Sequence, residues 1–219
     1  MTQVSSATVL RSRGRPPKSK ADEETMKANI VTATIQAFAE HGYHNMTVDH
    51  VLANANISRP TFYKYFRQLE EPLSIAAHSI HIDLIDRIKA ALQADGDAIL
   101  NAAAAFDAYV DWGKSLGEVL RPLYAEFYQT TSPISVFRLK TIDAIQKLII
   151  ETVVKSGRPK PTPLIIGLYT TGVEFISFQY LLHSDLSEDA YAETRLTMFR
   201  LLLATLGTNQ DYQLVMGLS

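Results

Sequence analysis

A short segment between Thr47 and Phe66 concentrates hydroxyl, cationic and aromatic side chains. Six of them fall within eight positions: Ser58, Arg59, Thr61, Tyr63, Lys64 and Tyr65. A helix that enters the major groove of DNA needs small hydrogen-bonding groups near its start to reach base edges. It also needs hydroxyls and cations on its flanks to contact phosphates. The segment therefore predicts a DNA-reading helix.

Helix start signals place that helix and the one before it. Thr47 can accept a hydrogen bond from the amide of His50 and so begin a short helix, and Ser58 begins the next, with Pro60 in its first turn. The residues Asn54 to Ile57 form the break between the two. Two short helices joined by a tight turn predict a helix-turn-helix, which needs a further helix to complete its core.

The orientation of the second helix follows from its aromatic spacing. Phe62 and Phe66 lie four residues apart, so they share one face and should point into the core. Thr61, Lys64 and Tyr65 are then expected to point outward. The supporting helix is predicted to begin near Asp22, as a cap, and to end at Gly42.

On these residues the sequence closely resembles the TetR family of bacterial regulators, over about residues 22–73. The matching motifs are Gly42-Tyr43, Thr47, Ala55-Asn56-Ile57-Ser58 and Thr61-Phe62-Tyr63-Lys64-Tyr65-Phe66. The resemblance implies that Thr47 and its amide bind a phosphate, that Arg59 and Thr61 approach bases, and that Tyr63 and Tyr65 hold the DNA backbone.

The sequence departs from this family at one position. Leu69 stands near the start of the fourth helix, where the family usually has a lysine or an arginine. Arg67, two residues earlier, is the expected replacement for that phosphate contact.

A second signal for DNA precedes the helices. Arg13 and Arg15 flank a glycine in a proline-containing segment that resembles the core of an AT-hook, which suits a narrow minor groove. The alternative is a tail that contributes charge alone. Residues 1–20 are therefore predicted to form a flexible basic arm.

Charge is divided unevenly along the chain. Residues 1–69 hold nine Lys and Arg against five acids, a net of +4, while the whole chain carries −2. A basic N-terminal part is typical of a protein that meets a polyanion.

The sequence has no cysteine, which excludes disulfides and thiolate sites and favours a reducing, cytoplasmic compartment. Secretion and membrane spanning are not expected.

The rest of the sequence predicts helices alone, so the fold class is all-α. The expected helices are Pro72–Ala94, Ala98–Gly113, Ser115–Gln129, Pro133–Lys155, Pro163–His183 and Glu188–Leu206. We divide the chain into the arm, a helix-turn-helix domain at 21–71, and a helical ligand-binding and dimerisation domain at 72–219. Helices 163–183 and 188–206 are apolar nearly all round and predict a four-helix homodimer interface, with a monomeric core as the alternative.

Aromatic and polar side chains in the body are candidates for a small-molecule pocket, although stripes of this kind also form ordinary cores. The candidates are Tyr109, Trp112, Tyr124, Phe127, Tyr128, Phe175 and Gln179. The sequence does not identify the molecule, and no cofactor is expected. His78 and His81 lack a second ligand pair for a metal, and no catalytic motif is present, so neither a metal site nor an enzyme is predicted.

These features together predict a transcription regulator, most simply a repressor that a small molecule releases from a palindromic operator. The alternative is a constitutive or architectural DNA-binding protein whose helical body contacts partner proteins.

Overall fold

The computed structural model describes residues 19–94, 98–208 and 211, and these are helical with short connections. No strand occurs in this part of the chain, as the sequence predicted. The minor-groove arginines Arg13 and Arg15 lie outside the described residues, so the AT-hook interpretation stays a prediction.

Three helices form the N-terminal unit: α1 (Lys20–Asn45), α2 (Val48–Ala55) and α3 (Arg59–Tyr65). Ser19, rather than Asp22, is the N-cap of α1, and Asp22 completes a capping box by accepting from the Ser19 amide at 3.0 Å. Gly42, with φ of 68°, interrupts the helical path as predicted, although one more turn continues to Asn45. The left-handed conformation there suits a residue without a Cβ.

The body contains α4 (Glu70–Leu92), α5 (Ala98–Ser115), α6 (Leu120–Glu126), α7 (Pro133–Lys155), α8 (Pro163–His183) and α9 (Glu188–Leu206). The last three coincide with the predicted bounds. The prediction of one helix from Ser115 to Gln129 was wrong, because a 3-10 turn at Gly117–Val119 precedes a shorter helix.

Gly113 was predicted to end a helix and instead lies inside α5. A Cβ at this position would collide with the side chain of Leu181 on α8. The glycine therefore permits the close approach of two helices. Gly172 on α8 has the same role, since a Cβ there would lie 2.5 Å from Leu201 on α9.

The N-terminal unit joins the body through α4, which follows α3 after a short turn, and through α6, which packs against α1. Glu126 at the end of α6 is buried, with 6% of its surface exposed. One of its oxygens lies 3.9 Å from Nε2 of His44 on the last turn of α1, and the other has no hydrogen-bond partner.

Among the described residues, α8 is the one helix with the length and composition to cross a membrane. This is weak evidence for a membrane span, because core helices of soluble proteins meet the same criterion. Its inner face packs on α9, α5 and α7.

Candidate DNA-binding surface and ligand cavity

Reciprocal caps fix the start of the helix-turn-helix. The Thr47 hydroxyl accepts from the His50 amide at 3.4 Å, and the Thr47 amide donates to Nδ1 of His50 at 3.3 Å. The predicted cap is thus present, and the amide expected to bind a phosphate is already occupied by an imidazole nitrogen. Asn56, with φ of 51°, makes the turn in the left-handed conformation that asparagine tolerates.

The second helix, α3, is oriented by its phenylalanines. Phe62 is fully buried and Phe66 nearly so, as their spacing predicted. Tyr63 faces solvent with 48% of its surface exposed. The hydroxyls of Ser58 and Thr61 are hydrogen-bonded to each other at 2.9 Å, so Ser58 begins the helix without capping it through its side chain.

Both cations of α3 are paired with carboxylates. Arg59 forms an ion pair with Asp49 at 2.5 Å, and Lys64 with Glu23 at 3.0 Å. The hydrogen bonds to these carboxylates raise the pKa of both basic groups. All four side chains are well exposed, so a DNA phosphate can reach the cations by exchanging with the carboxylates.

Tyr65 corrects the predicted orientation of α3. Its hydroxyl is buried and has no hydrogen-bond partner, and its ring packs against the core, so it does not point outward. The reason is that Tyr65 lies three residues after Phe62, on a neighbouring part of the inner face. The Lys64 ammonium lies 5.0 Å from the ring centre.

The turn into α4 contains the position at which the sequence departs from the TetR-family pattern. Leu69 packs against the core, whereas Arg67 is exposed and its backbone amide donates to Glu71 at 3.0 Å. The Arg67 side chain is therefore accessible, as a replacement phosphate contact requires.

A narrow apolar cavity of about 120 Å³ runs through the body among α4, α5, α7, α8 and α9. On α4 its lining extends from Ala77 to Leu92. At about 1.5 Å per residue, this span is about 22 Å. Trp112, Phe127 and Arg138 line the end near the N-terminal unit, and Arg158 lines the opposite end.

One buried ion pair interrupts the apolar lining. The Arg138 guanidinium donates from Nε and Nη2 to the two oxygens of Glu174, at 2.8 and 2.5 Å. Their side chains are 12% and 10% exposed. The Tyr128 hydroxyl donates to Glu174 at 3.2 Å, and the guanidinium lies 4.3 Å from the Tyr128 ring centre.

Comparison with known proteins identifies the N-terminal unit. Residues 30–71 match the family model "Bacterial regulatory proteins, tetR family". The N-terminal unit is a DNA-binding domain of the TetR family.

Individual relatives extend the likeness over the helical body. The HTH-type transcriptional activator FasR of Mycolicibacterium smegmatis is 24% identical over 164 residues, 73% of each chain. The fatty acid degradation regulator FadR of Bacillus halodurans shares the fold with a TM-score of 0.66 and 18% identity, over 81% of this chain and 94% of that one. FadR of Bacillus subtilis, solved with stearoyl-CoA, has a TM-score of 0.66 and 17% identity, over 83% and 99%. The chain is a DNA-binding transcription regulator, and these relatives are regulators rather than enzymes.

Three of the predicted ligand residues line the cavity: Tyr109, Trp112 and Phe127. Tyr124 lies behind them and its hydroxyl is 2.8 Å from that of Tyr109. Burial raises the pKa of both tyrosines, so both remain neutral. Tyr128 is largely exposed, with only its hydroxyl directed to Glu174.

Phe175 and Gln179 were wrong as cavity residues. Both are exposed on the outer face of α8, because Glu174, their neighbour, occupies the inner face. Arg138 and Glu174 were not predicted as site residues. The available signal was that Glu174 is the one Asp, Glu, Lys or Arg in the apolar segment Pro163–His183.

The histidines considered for a metal have other partners. Nδ1 of His81 is hydrogen-bonded to the Thr141 hydroxyl, and its pKa is lowered by burial and by the nearby His78 and Lys140. No group of three or more His, Asp or Glu side chains suited to a metal ion occurs in the described ranges.

Proposed function

We propose that the protein is a homodimeric regulator whose affinity for a palindromic operator is lowered by a small molecule with a long aliphatic chain. The observation that carries this proposal is the cavity, which is narrow, apolar and about 22 Å long on the α4 side. A compact effector would contact only part of a lining of this length. A linear chain would bury its surface along the whole lining.

The cavity length sets the expected size of the chain. An extended alkyl chain advances about 1.25 Å per carbon, because each C–C bond of about 1.5 Å is inclined to the chain axis. A span of about 22 Å then matches the length of about 16 to 18 carbons, and the lining must widen to admit such a chain, because the cavity volume is only about 120 Å³. The stearoyl-CoA bound to the similarly folded FadR of Bacillus subtilis is a molecule of this class.

Exposed apolar side chains support dimerisation through α8 and α9. Leu164, Leu168 and Phe175 on α8 are 81%, 55% and 61% exposed, and Leu196 on α9 is 51% exposed. Their spacing on α8 places them on one face. A second copy that covers this face would form the predicted four-helix interface. Phe175→Glu should therefore convert the dimer to monomer in sedimentation analysis, whereas Glu188→Gln, at the exposed start of α9, should not.

The DNA contacts follow from the accessible surface of the N-terminal unit. We assign base contacts to Arg59 and Thr61, and phosphate contacts to Thr47, Ser58, Tyr63, Lys64 and Arg67. Arg13 and Arg15 would extend these contacts into the minor groove. We do not assign Tyr65, since its hydroxyl is buried.

The distance between the two recognition helices of the dimer would link effector binding to DNA binding. The two recognition helices of a dimer must lie about 34–36 Å apart to enter successive major grooves. α4 both lines the cavity and begins just after α3, so a chain that displaces α4 would change this spacing. Coupling of this kind is reciprocal, typically about 5- to 150-fold.

The test begins with selection of the preferred operator from random DNA, using the full chain. Operator affinity is then measured with a series of acyl-CoA probes from acetyl-CoA to stearoyl-CoA. We expect the longest chains to weaken binding and acetyl-CoA to have no effect. If no probe changes the affinity, the protein is instead a constitutive DNA-binding protein, the alternative that the sequence left open. The transcriptional sign depends on operator position; we propose repression, although the relative FasR is an activator.

A further inference from the structure

The buried ion pair leaves the cavity without net charge. Arg138 and Glu174 neutralise each other through two hydrogen bonds, and both oxygens of Glu174 are occupied. At the opposite end Arg158 is paired with Asp211 at 2.6 Å. Among the described lining residues, both arginines thus already have a carboxylate partner.

The third basic side chain of the lining, His81, is also unsuited to an anion. Burial lowers its pKa below the usual value near 6.5, so it is neutral at pH 7 and above. A fatty acid carboxylate that entered the cavity would therefore lose its hydration without gaining a free cation. At the Arg138 end it would also approach the negative charge of Glu174.

Among the described residues that line this end of the cavity, the unmatched hydrogen-bonding groups are donors. The indole N–H of Trp112 is buried and has no acceptor, and the residue as a whole is 2% exposed. Nη1 of Arg138 makes no hydrogen bond to the described residues, since the pair with Glu174 uses Nε and Nη2. The ring centres of Trp112 and Tyr109 are 5.5 Å apart, and the Tyr109 and Tyr124 hydroxyls are 2.8 Å apart. The Phe127 ring lies 4.8 Å from that of Tyr124 and 5.9 Å from the Arg138 guanidinium, so these groups lie at one end of the cavity.

Donors without acceptors, in a site without net charge, match a neutral carbonyl oxygen. We propose that the cavity binds the uncharged ester or thioester of a long-chain fatty acid and rejects the free acid, and that Glu174 is the residue that enforces this choice. The carbonyl accepts from Trp112 or Arg138, and the chain extends toward Arg158. This inference rests on the proposed function, because it assumes that a long chain occupies the cavity.

The single tryptophan of the chain makes the test direct, since Trp112 lies at the proposed carbonyl site. The full-length protein is titrated at pH 8 with stearic acid, methyl stearate and stearoyl-CoA, below their aggregation limits, and Trp112 fluorescence is followed. We expect the ester and the thioester to bind at least about 10-fold more tightly than the acid, a ratio that corresponds to one pKa unit of charge discrimination.

Glu174→Gln should reverse the preference for the ester over the acid, because it leaves Arg138 without a carboxylate. The affinity for stearic acid should rise at least about 10-fold, with little change for methyl stearate. The matched control is the double variant Arg138→Gln/Glu174→Gln, which is again neutral and should reject the acid. Asp211→Asn frees Arg158 at the far end and should not increase acid binding.

Each result has a separate meaning. If none of the three probes alters Trp112 fluorescence in the wild type, the proposed long-chain effector is wrong. If the wild type binds acid and ester equally, or if Asp211→Asn gains acid binding while Glu174→Gln does not, the charge selection at Glu174 is wrong while the effector class stands. Should Glu174→Gln fail to fold, Trp112→Phe followed by calorimetry replaces it. Loss of the donor should weaken methyl stearate binding about 2- to 12-fold, and no loss overturns the assignment.

Discussion

The two parts of the molecule use the same chemical pair, a basic side chain and a carboxylate, in opposite settings. On the N-terminal unit, Arg59 and Lys64 are paired with carboxylates on an exposed surface. In the body, Arg138 and Glu174 are paired inside an apolar cavity. Water and salt screen the first kind of pair, whereas the second has little access to either.

This difference in burial separates two uses of an ion pair. An exposed pair contributes little to stability, so a phosphate can replace its carboxylate at small cost. Removing one partner of a buried pair lowers the stability of the fold strongly, because the other charge remains in a poorly solvated site. The exposed pairs therefore suit reversible DNA binding, and the buried pair suits a fixed selection of ligand charge.

The largest effect is expected from breaking the buried pair. Arg138→Met should lower the free energy of unfolding by about 3 kcal/mol, since it leaves Glu174 uncompensated. Arg87→Met is the matched control, because Arg87 pairs with Asp83 on the exposed face of α4 and its loss should cost under about 0.5 kcal/mol. Urea unfolding of both variants measures the contrast. Adding Glu174→Leu to Arg138→Met should restore most of the stability, and equal losses in the two single variants would remove the distinction.

Arg59→Ala should give the next largest effect, on DNA binding rather than on folding. Loss of a base contact should weaken operator binding about 5- to 150-fold and relax the preference at one base position. Binding measured on a set of single-base operator variants tests this. An equal loss on operator and on random DNA would show instead that Arg59 contacts the phosphate backbone.

Lys64→Ala should affect all DNA alike. A phosphate contact carries no sequence information, so operator and random DNA should weaken about equally, and the slope of log affinity against log salt should fall by about one. Titrations at several salt concentrations give the slope. Tyr63→Phe should weaken both DNAs equally while leaving the slope unchanged, because it removes a hydroxyl and no charge.

Removing the carboxylate of Glu23, which competes with DNA phosphate for Lys64, should have the smallest effect. This change should strengthen DNA binding rather than weaken it. Glu23→Gln releases Lys64 from its ion pair, so DNA affinity should rise about 2- to 5-fold at low salt. Glu24→Gln makes the same change of charge in the same turn of α1, where the carboxylate lies 3.9 Å from Lys27 instead. A similar gain in both variants would mean that net charge, rather than exchange at Lys64, controls the affinity.

The sequence predicted the N-terminal unit well because its determinants are local. The cap at Thr47, the helix start at Ser58 and the spacing of Phe62 and Phe66 each depend on residues at most four positions apart. The orientation of Tyr65 was wrong because a residue on the border of a helix face can pack inward or outward, and that choice depends on the helices packed around it.

The cavity was harder to predict because its key contact is distant in sequence. Arg138 and Glu174 are 36 residues apart and on different helices, so no spacing rule joins them. The bounds of α7, α8 and α9 followed from proline and serine or threonine at their starts. The side of α8 that faces inward could not be predicted, because that helix is apolar nearly all round and carries no clear amphipathic signal.

The position of α6 bears on how far a signal must travel. Leu123 and Phe127, within and just after this helix, line the cavity, while Glu126 reaches His44 at the end of α1. The cavity and the N-terminal unit are thus separated by the thickness of one helix, about 10 Å. At this distance no extended series of intermediate residues is needed to connect the two. A seven-residue helix is too short to be stable alone, so we expect α6 to shift when the cavity is filled and to pass that shift to α1.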